Sequence, residues 1–216
     1  EKRPERSTPE KKRVLIFSPH PDDDVISMGG TFDRLVSQGH EVHIAYQTSG
    51  NIAVSNDEAL KFAEMGLEIN PESDYYKKII DFIQSGSKNV SDIPELRKLK
   101  GLIRQKESLG ATRYFNVPDK NIHFLNLPFY ETGTIKKNAL SDSDIEIMMD
   151  CIDQVKPHQI YAAGDLADPH GTHKVCLDSL FISLEKMKNL PYMNDCWVWL
   201  YRGAWHEWDM HDIEMA

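Results

Sequence analysis

The chain has 216 residues, 40% hydrophobic and 27% charged, with four Trp, eight Tyr and eight Phe; this is the balance of one globular domain with a sizeable core, not of a disordered chain. Lys and Arg number 25 against 34 Asp and Glu, a formal charge of −9, which argues against general nucleic-acid binding and against anionic membrane surfaces, though not against an anionic small molecule in a locally basic pocket. No apolar run approaches the roughly 18 residues of a membrane span, and the three cysteines, Cys151, Cys176 and Cys196, are far apart and form no CxxC, so free thiols in a reducing, cytoplasmic compartment are expected.

Residues 1–12 are polar, charged and Pro-containing and read as a linker or tail, without the apolar stretch of a signal peptide. The chain does not begin with Met, and a piece of a longer polypeptide is expected. "RVLIF" (13–17) is a first strand, followed by the acid-rich "SPHPDDDVISMGG" (18–30). From Val25 onwards Met28, Phe32, Leu35 and Val36 fall at helical spacing up to a stop at Gly39, and "EVHIAYQT" (41–48) is a second strand. Strand, helix and strand in this order predict a βαβ unit in a parallel sheet. Gly29 and Gly30 interrupt the helical pattern; close packing on a strand or approach of a ligand would account for them. The exit "TSGN" (48–51) reads first as a plain turn and second as pocket lining.

Helices are expected over 57–69, 74–85 and 94–109, the last stopped by Gly110, so that residues of about 51–100 form a helical insertion over one face. "NIHFLNL" (121–127) is a third strand and "PFYETGTIKKN" a loop; "SDSDIEIMMDCIDQVK" carries N-cap candidates and a helical pattern. "HQIYAAG" (158–164) is a fourth strand, "DLADPHGTH" a loop, 173–188 a helix and "CWVWLY" (196–201) a fifth strand. Trp197, Trp199, Tyr201 and Trp205 are read mainly as core, and His40, His43, His123 and His158 as structural; His206 and His211 are read as surface residues. Residues 13–216 thus make one α/β domain.

Two loops concentrate chemistry. His20 is followed by Asp22, Asp23 and Asp24; one such acid would simply cap the next helix, but successive carboxylates repel, and a divalent cation offsets that repulsion while taking both imidazole and carboxylate ligands. His170 and His173 are three apart, on one face of a helix start. Both loops follow strands, and ligands sit outside the carboxyl ends of strands in open α/β sheets. A site with three protein ligands and an open position is the pattern of catalytic zinc, which lowers the pKa of a bound water to about 7 within reach of a carboxylate base.

"PHPDDDVISMGG" with the distant "PHGTH" resembles the PIG-L/LmbE-like zinc N-deacetylases, whose pattern is (A/S)HPDDE…G and HxxH. The resemblance covers roughly residues 12–205. It implies a Rossmann-like three-layer sandwich with a mostly parallel sheet, and hydrolysis of the acetyl group of an N-acetylated amino sugar of the GlcNAc type. By position it makes His20, Asp23 and His173 the Zn2+ ligands (another divalent metal is an option), Asp22 the general base, and His170 the group that steadies the oxyanion and protonates the leaving amine. "IRQKESLGA" (103–111) matches the family's R-x-x-E helix, implying a substrate contact for Arg104 and a supporting role for Glu107; the alternative is an ordinary charged helix face, and Arg113 is a rival basic residue. Asp24 stands where the family usually has Glu, a change in the support of the site. Thr172 stands where many members have Asp, which leaves Asp168 as the candidate to support His170.

The opening segment, "TSGNIAV" and "WLYRGAWHEWD" further resemble the PIG-L-like half of bacterial proteins named glucosamine-6-phosphate deaminases, in which an isomerase-type domain is fused at the N-terminus. A small amino sugar, phosphorylated or not, is the expected substrate, with no nucleic acid and no membrane as partner. The alternatives are a non-catalytic or regulatory metal-containing sugar-binding module, motivated by Thr172 and the insertion, and, behind it, a two-metal phosphoesterase, for which the chain offers too few further ligands.

Overall fold

The computed structural model describes residues 11–86, 91–164 and 168–203; most of the expected N-terminal tail, and Trp205, His206 and His211, lie outside these residues. Five strands, β1 (Arg13–Ser18), β2 (Glu41–Tyr46), β3 (Ile122–Phe124), β4 (Gln159–Ala163) and β5 (Trp197–Tyr201), form a sheet in the order β3-β2-β1-β4-β5. All neighbours are parallel, with Val14 opposite Val42 on one side and Gln159 on the other. Central parallel strands are covered on both faces and need continuous apolar runs; Val14, Leu15, Ile16 and Phe17 are accordingly all fully buried.

The helices are α1 (Asp23–Ser37), α2 (Asn56–Ile69), α3 (Asp74–Gln84), α4 (Pro94–Tyr114), α5 (Asp142–Val155) and α6 (Thr172–Met187). Alternate strand residues face opposite layers. Leu15, Phe17, Ala45 and Ile160 pack on Met148 and Ile152 of α5 and on Leu177 and Leu180 of α6. Val14, Ile16, Ile44 and Tyr46 pack on Met28, Phe32 and Leu35 of α1. The result is the three-layer α/β sandwich expected. α2, α3 and the first half of α4 close a core of their own around Ala59, Ala63, Ile79, Leu96, Leu99 and Ile103, within the stretch read as an insertion. No helix among the described residues is long and apolar enough to cross a membrane.

Several boundaries differ from the sequence reading. α1 starts at Asp23 and contains a non-helical Met28 (φ −137°, ψ 21°). Gly29 and Gly30 are not close-approach positions: a methyl group at Gly30 would meet nothing within 4 Å, and one at Gly29 only Val25 Cγ1 at 3.9 Å. They follow the break at Met28, in keeping with glycine's place at helix kinks. α4 runs through Gly110 and ends at Tyr114, two residues before Asn116 takes φ 61°. β3 loses Asn121 to the 3₁₀ turn Asp119–Asn121 and stops at Phe124, before Asn126 takes φ 47°. Trp197 is 69% exposed on the edge strand β5, not core, whereas Tyr201 is buried with its hydroxyl donating to the Phe17 carbonyl at 2.8 Å.

Candidate metal centre and catalytic cleft

Strand order in this sheet changes direction between β1 and β4, and it is at such a switch point that ligands settle outside the strand ends. The two charged loops leave from these strands. The loop after β1 brings His20 and Asp23, and the start of α6 brings His173, onto one spot: His20 Nδ1, Asp23 Oδ2 and His173 Nε2 lie 3.3 Å from one another in each pairing. His173 is buried and Asp23 nearly so, at 3% and 15% side-chain exposure. Ligand atoms about 2.0–2.1 Å from a tetrahedral ion stand roughly 3.3–3.4 Å apart, so two imidazoles and a carboxylate at these spacings fit a divalent ion capping their triangle. Burial alone would raise the Asp23 pKa, but His173 and His20 hold it well below the usual carboxylate range.

The neighbouring acids have separate tasks. Asp24 is fully buried, where it takes the Tyr46 hydroxyl at 2.9 Å while its own N–H donates to Ser18 Oγ; burial pushes its pKa up to about 6. Asp22 occupies the N-cap position of α1 without a side-chain cap bond. Its carboxylate instead accepts from Arg104 Nη2 at 2.8 Å, and Arg104 Nη1 donates to Glu107 at 3.2 Å. Arg104 thus enters the cleft from α4 through a contact with the expected base. Arg113, the rival, pairs with Asp119 on the surface.

On the other wall, buried Asp168 accepts the backbone N–H groups of His170 (2.9 Å) and His173 (3.1 Å) and lies 3.3 Å from His170 Nδ1. Burial would raise its pKa; these N–H groups and His173 bring it below the usual value. Asp168 therefore shapes the start of α6 and supports the His170 ring, whose side chain is 62% exposed at the rim. Thr172 is buried, and its hydroxyl has no hydrogen-bond partner among the described residues.

These residues line a cleft of about 410 Å³. Gly50, read from sequence first as part of a plain turn, also lines it: φ is +64°, and a methyl group there would come within 2.8 Å of Pro21 and 3.4 Å of Arg104 Nε. Sequence reasoning passed over Ile26, Ile52, Tyr130, Ile135 and Lys137, which complete the walls. The usable signal for the last three was position, since their loop leaves the same edge of the sheet. The other histidines among the described residues stay away from the cleft: His40 and His158 accept the Lys12 and Arg13 N–H groups, and His43 stacks on His123 across β2 and β3, burial lowering the pKa of each.

Comparisons with known proteins bear on the same residues. A family model described as PIG-L, GlcNAc-PI de-N-acetylase, matches residues 15–181. The chain is 51% identical over 225 residues to a glucosamine-6-phosphate deaminase-like protein of Bacteroides thetaiotaomicron, a match covering 99% of this chain and 34% of the relative. It is 25% identical over 164 residues to a 1D-myo-inositol 2-acetamido-2-deoxy-alpha-D-glucopyranoside deacetylase of Rhodococcus erythropolis, covering 76% of this chain and 48% of that one. The chain thus spans about a third to a half of the length of these relatives. Among solved structures, an N,N'-diacetylchitobiose deacetylase from Pyrococcus horikoshii matches with a TM-score of 0.56 at 18% identity, covering 88% of this chain and 60% of the other, a likeness of fold.

Proposed function

The chain belongs to the PIG-L family, and from that premise we propose that it is a metal-dependent N-deacetylase acting on an N-acetylated amino sugar. The observation that carries this reading is the triangle of His20, Asp23 and His173 donor atoms beside a cleft that also holds Asp22 and His170. With two imidazoles and one carboxylate as ligands, zinc is the ion we assign. When bound, the ion supplies Lewis-acid polarisation of the amide carbonyl and lowers the pKa of water. Asp22 takes the proton of the attacking water, its carboxylate oriented by Arg104 at 2.8 Å. His170, braced by Asp168, donates to the carbonyl oxygen as charge develops there and passes a proton to the departing nitrogen; both are ordinary roles for imidazole. Tyr130, Ile52 and Ile26 wall the cleft in which the sugar lies. We take residues 13–216 as one catalytic domain. Most of the Bacteroides relative lies outside the match, and an N-terminal isomerase-type domain is the partner proposed to be fused there.

The test is acetate release from N-acetylated amino sugars by the zinc-loaded chain, with metal content measured alongside. Asp22→Asn is expected to keep its zinc and lose at least about a hundredfold in kcat, the low end of general-base contributions. His173→Ala is expected to lose the metal itself. Zinc retained without acetate release from any amino sugar sinks the hydrolase and favours a sugar-binding module; full turnover by Asp22→Asn removes the assigned base.

A further inference from the structure

Resting on the amino-sugar reading of the cleft, we propose that Lys137 anchors an anionic substituent, a phosphate monoester, on the sugar. The carboxylates of the cleft already have partners. Asp23 lies between His20 and His173, Asp22 is held by Arg104, and Asp168 accepts backbone N–H groups. Lys137 has no carboxylate within salt-bridge distance among the described residues: its ammonium donates to the His170 carbonyl at 3.1 Å and stands 5.7 Å from the Tyr130 ring centre. In a chain of net charge −9, a cation at the cleft without a carboxylate partner calls for a reason. Two neutral contacts leave donor capacity on an ammonium, which has three N–H groups.

The placement of Lys137 is built by its loop. Thr132 Oγ1 donates to the Lys136 carbonyl at 2.8 Å, and the Asn138 N–H donates to the Phe129 carbonyl at 2.9 Å, pinning the residues on either side. Gly133, at φ +73°, accepts the Asp92 N–H, and Arg97 donates to the Glu131 carbonyl, tying the loop to the start of α4. Tyr130 sets the spacing. Its ring lies under Lys137, and the His20 ring meets it in a T-shaped contact at 5.9 Å. Lys137 and His20 thus meet the same Tyr130 ring, 5.7 Å and 5.9 Å from its centre, so that a sugar seated beside Tyr130 turns its acetamido group toward the histidine and its anion toward the ammonium.

The experiment measures binding and turnover together on the zinc-loaded full chain. Calorimetry with glucosamine 6-phosphate and with glucosamine is expected to show about a tenfold preference for the phosphorylated sugar, the size of one charge-assisted contact. The preference is expected to fall to near one in Lys137→Met and to return in Lys137→Arg. Equal binding of the two sugars, or a preference that survives Lys137→Met, overturns the proposal. Acetate release from N-acetylglucosamine and its 6-phosphate separates the two readings: equal efficiency on both refutes the anchor and leaves the deacetylase standing. Lys137-dependent binding of the sugar phosphate without acetate release does the reverse.

Discussion

Adjacent carboxylates raise one another's pKa unless each has its own compensation, and the Asp22-Asp23-Asp24 run meets that condition by sending its side chains three ways. Asp23 turns to the imidazoles, Asp24 down to Tyr46, and Asp22 across to Arg104. This division was partly legible: a His and three acids after an apolar strand, with HxxH far downstream, carry their chemistry in residue type and spacing. The Arg104–Asp22 pairing was not, because it joins residues 82 apart through a helix–loop contact, which no local pattern encodes. It has a kinetic consequence. Without the guanidinium, the Asp22 carboxylate loses its fixed orientation, and if Asp22 is the base as proposed, its misplacement costs turnover more than binding. Arg104→Met is expected to lower kcat by about tenfold or more with zinc content unchanged. A change confined to KM would make Arg104 a substrate contact, and unaltered kinetics would remove its positioning role. Lys137 and Tyr130 were invisible for a related reason: a lone lysine and a lone tyrosine in a loop have no periodicity to betray them.

Glycine marks two different situations in the elements around the cleft, and the sequence could not tell them apart. Gly50 is at positive φ against Pro21 and Arg104, whereas Gly30 is exposed within α1 with open space where a side chain would stand. At Gly30 only the conformational cost of glycine in a helix is left, about 0.5–1 kcal/mol relative to Ala. Gly30→Ala is therefore expected to raise Tm by about 1–4 °C for a chain of this size, while Gly50→Ala lowers it, because its new methyl group meets Pro21 Cδ at 2.8 Å. Thermal melts of the two variants check the pair; a destabilised Gly30→Ala would mean that the kink at Met28 depends on the glycine. Element boundaries were misjudged for the same sort of reason. Gly110 looks like a stop, but buried Leu96, Leu99, Ile103 and Thr112 keep α4 packed on both sides of it, and packing outweighs a helix propensity worth about 1 kcal/mol.

The number and type of strands could be read from apolar runs and turn residues, because those are properties of the chain itself. The order β3-β2-β1-β4-β5 could not, since adjacency of β1 and β4 is a property of the folded sheet. The edge place of β5 likewise exposes Trp197, which its aromatic neighbours had made look like core. That adjacency is what makes the proposed metal triangle a feature of the whole molecule: His20 and His173, 153 positions apart in the chain, approach to 3.3 Å across the switch point. The unfolded chain does not hold these donors together, so an ion bound there stabilises the folded state alone, by about 2.7 kcal/mol at a hundredfold excess over Kd and about 4.1 kcal/mol at a thousandfold. For a chain of this length that corresponds to a rise in Tm of about 5–16 °C. Zinc titrated into chelator-stripped protein is expected to produce this rise in the wild type and in Asp22→Asn, whose substituted residue lies outside the triangle, and to leave His173→Ala unmoved. An equal rise in His173→Ala would place the ion elsewhere, because a cation bridging the β1 and β4 loops cannot bind as tightly once its buried imidazole is gone.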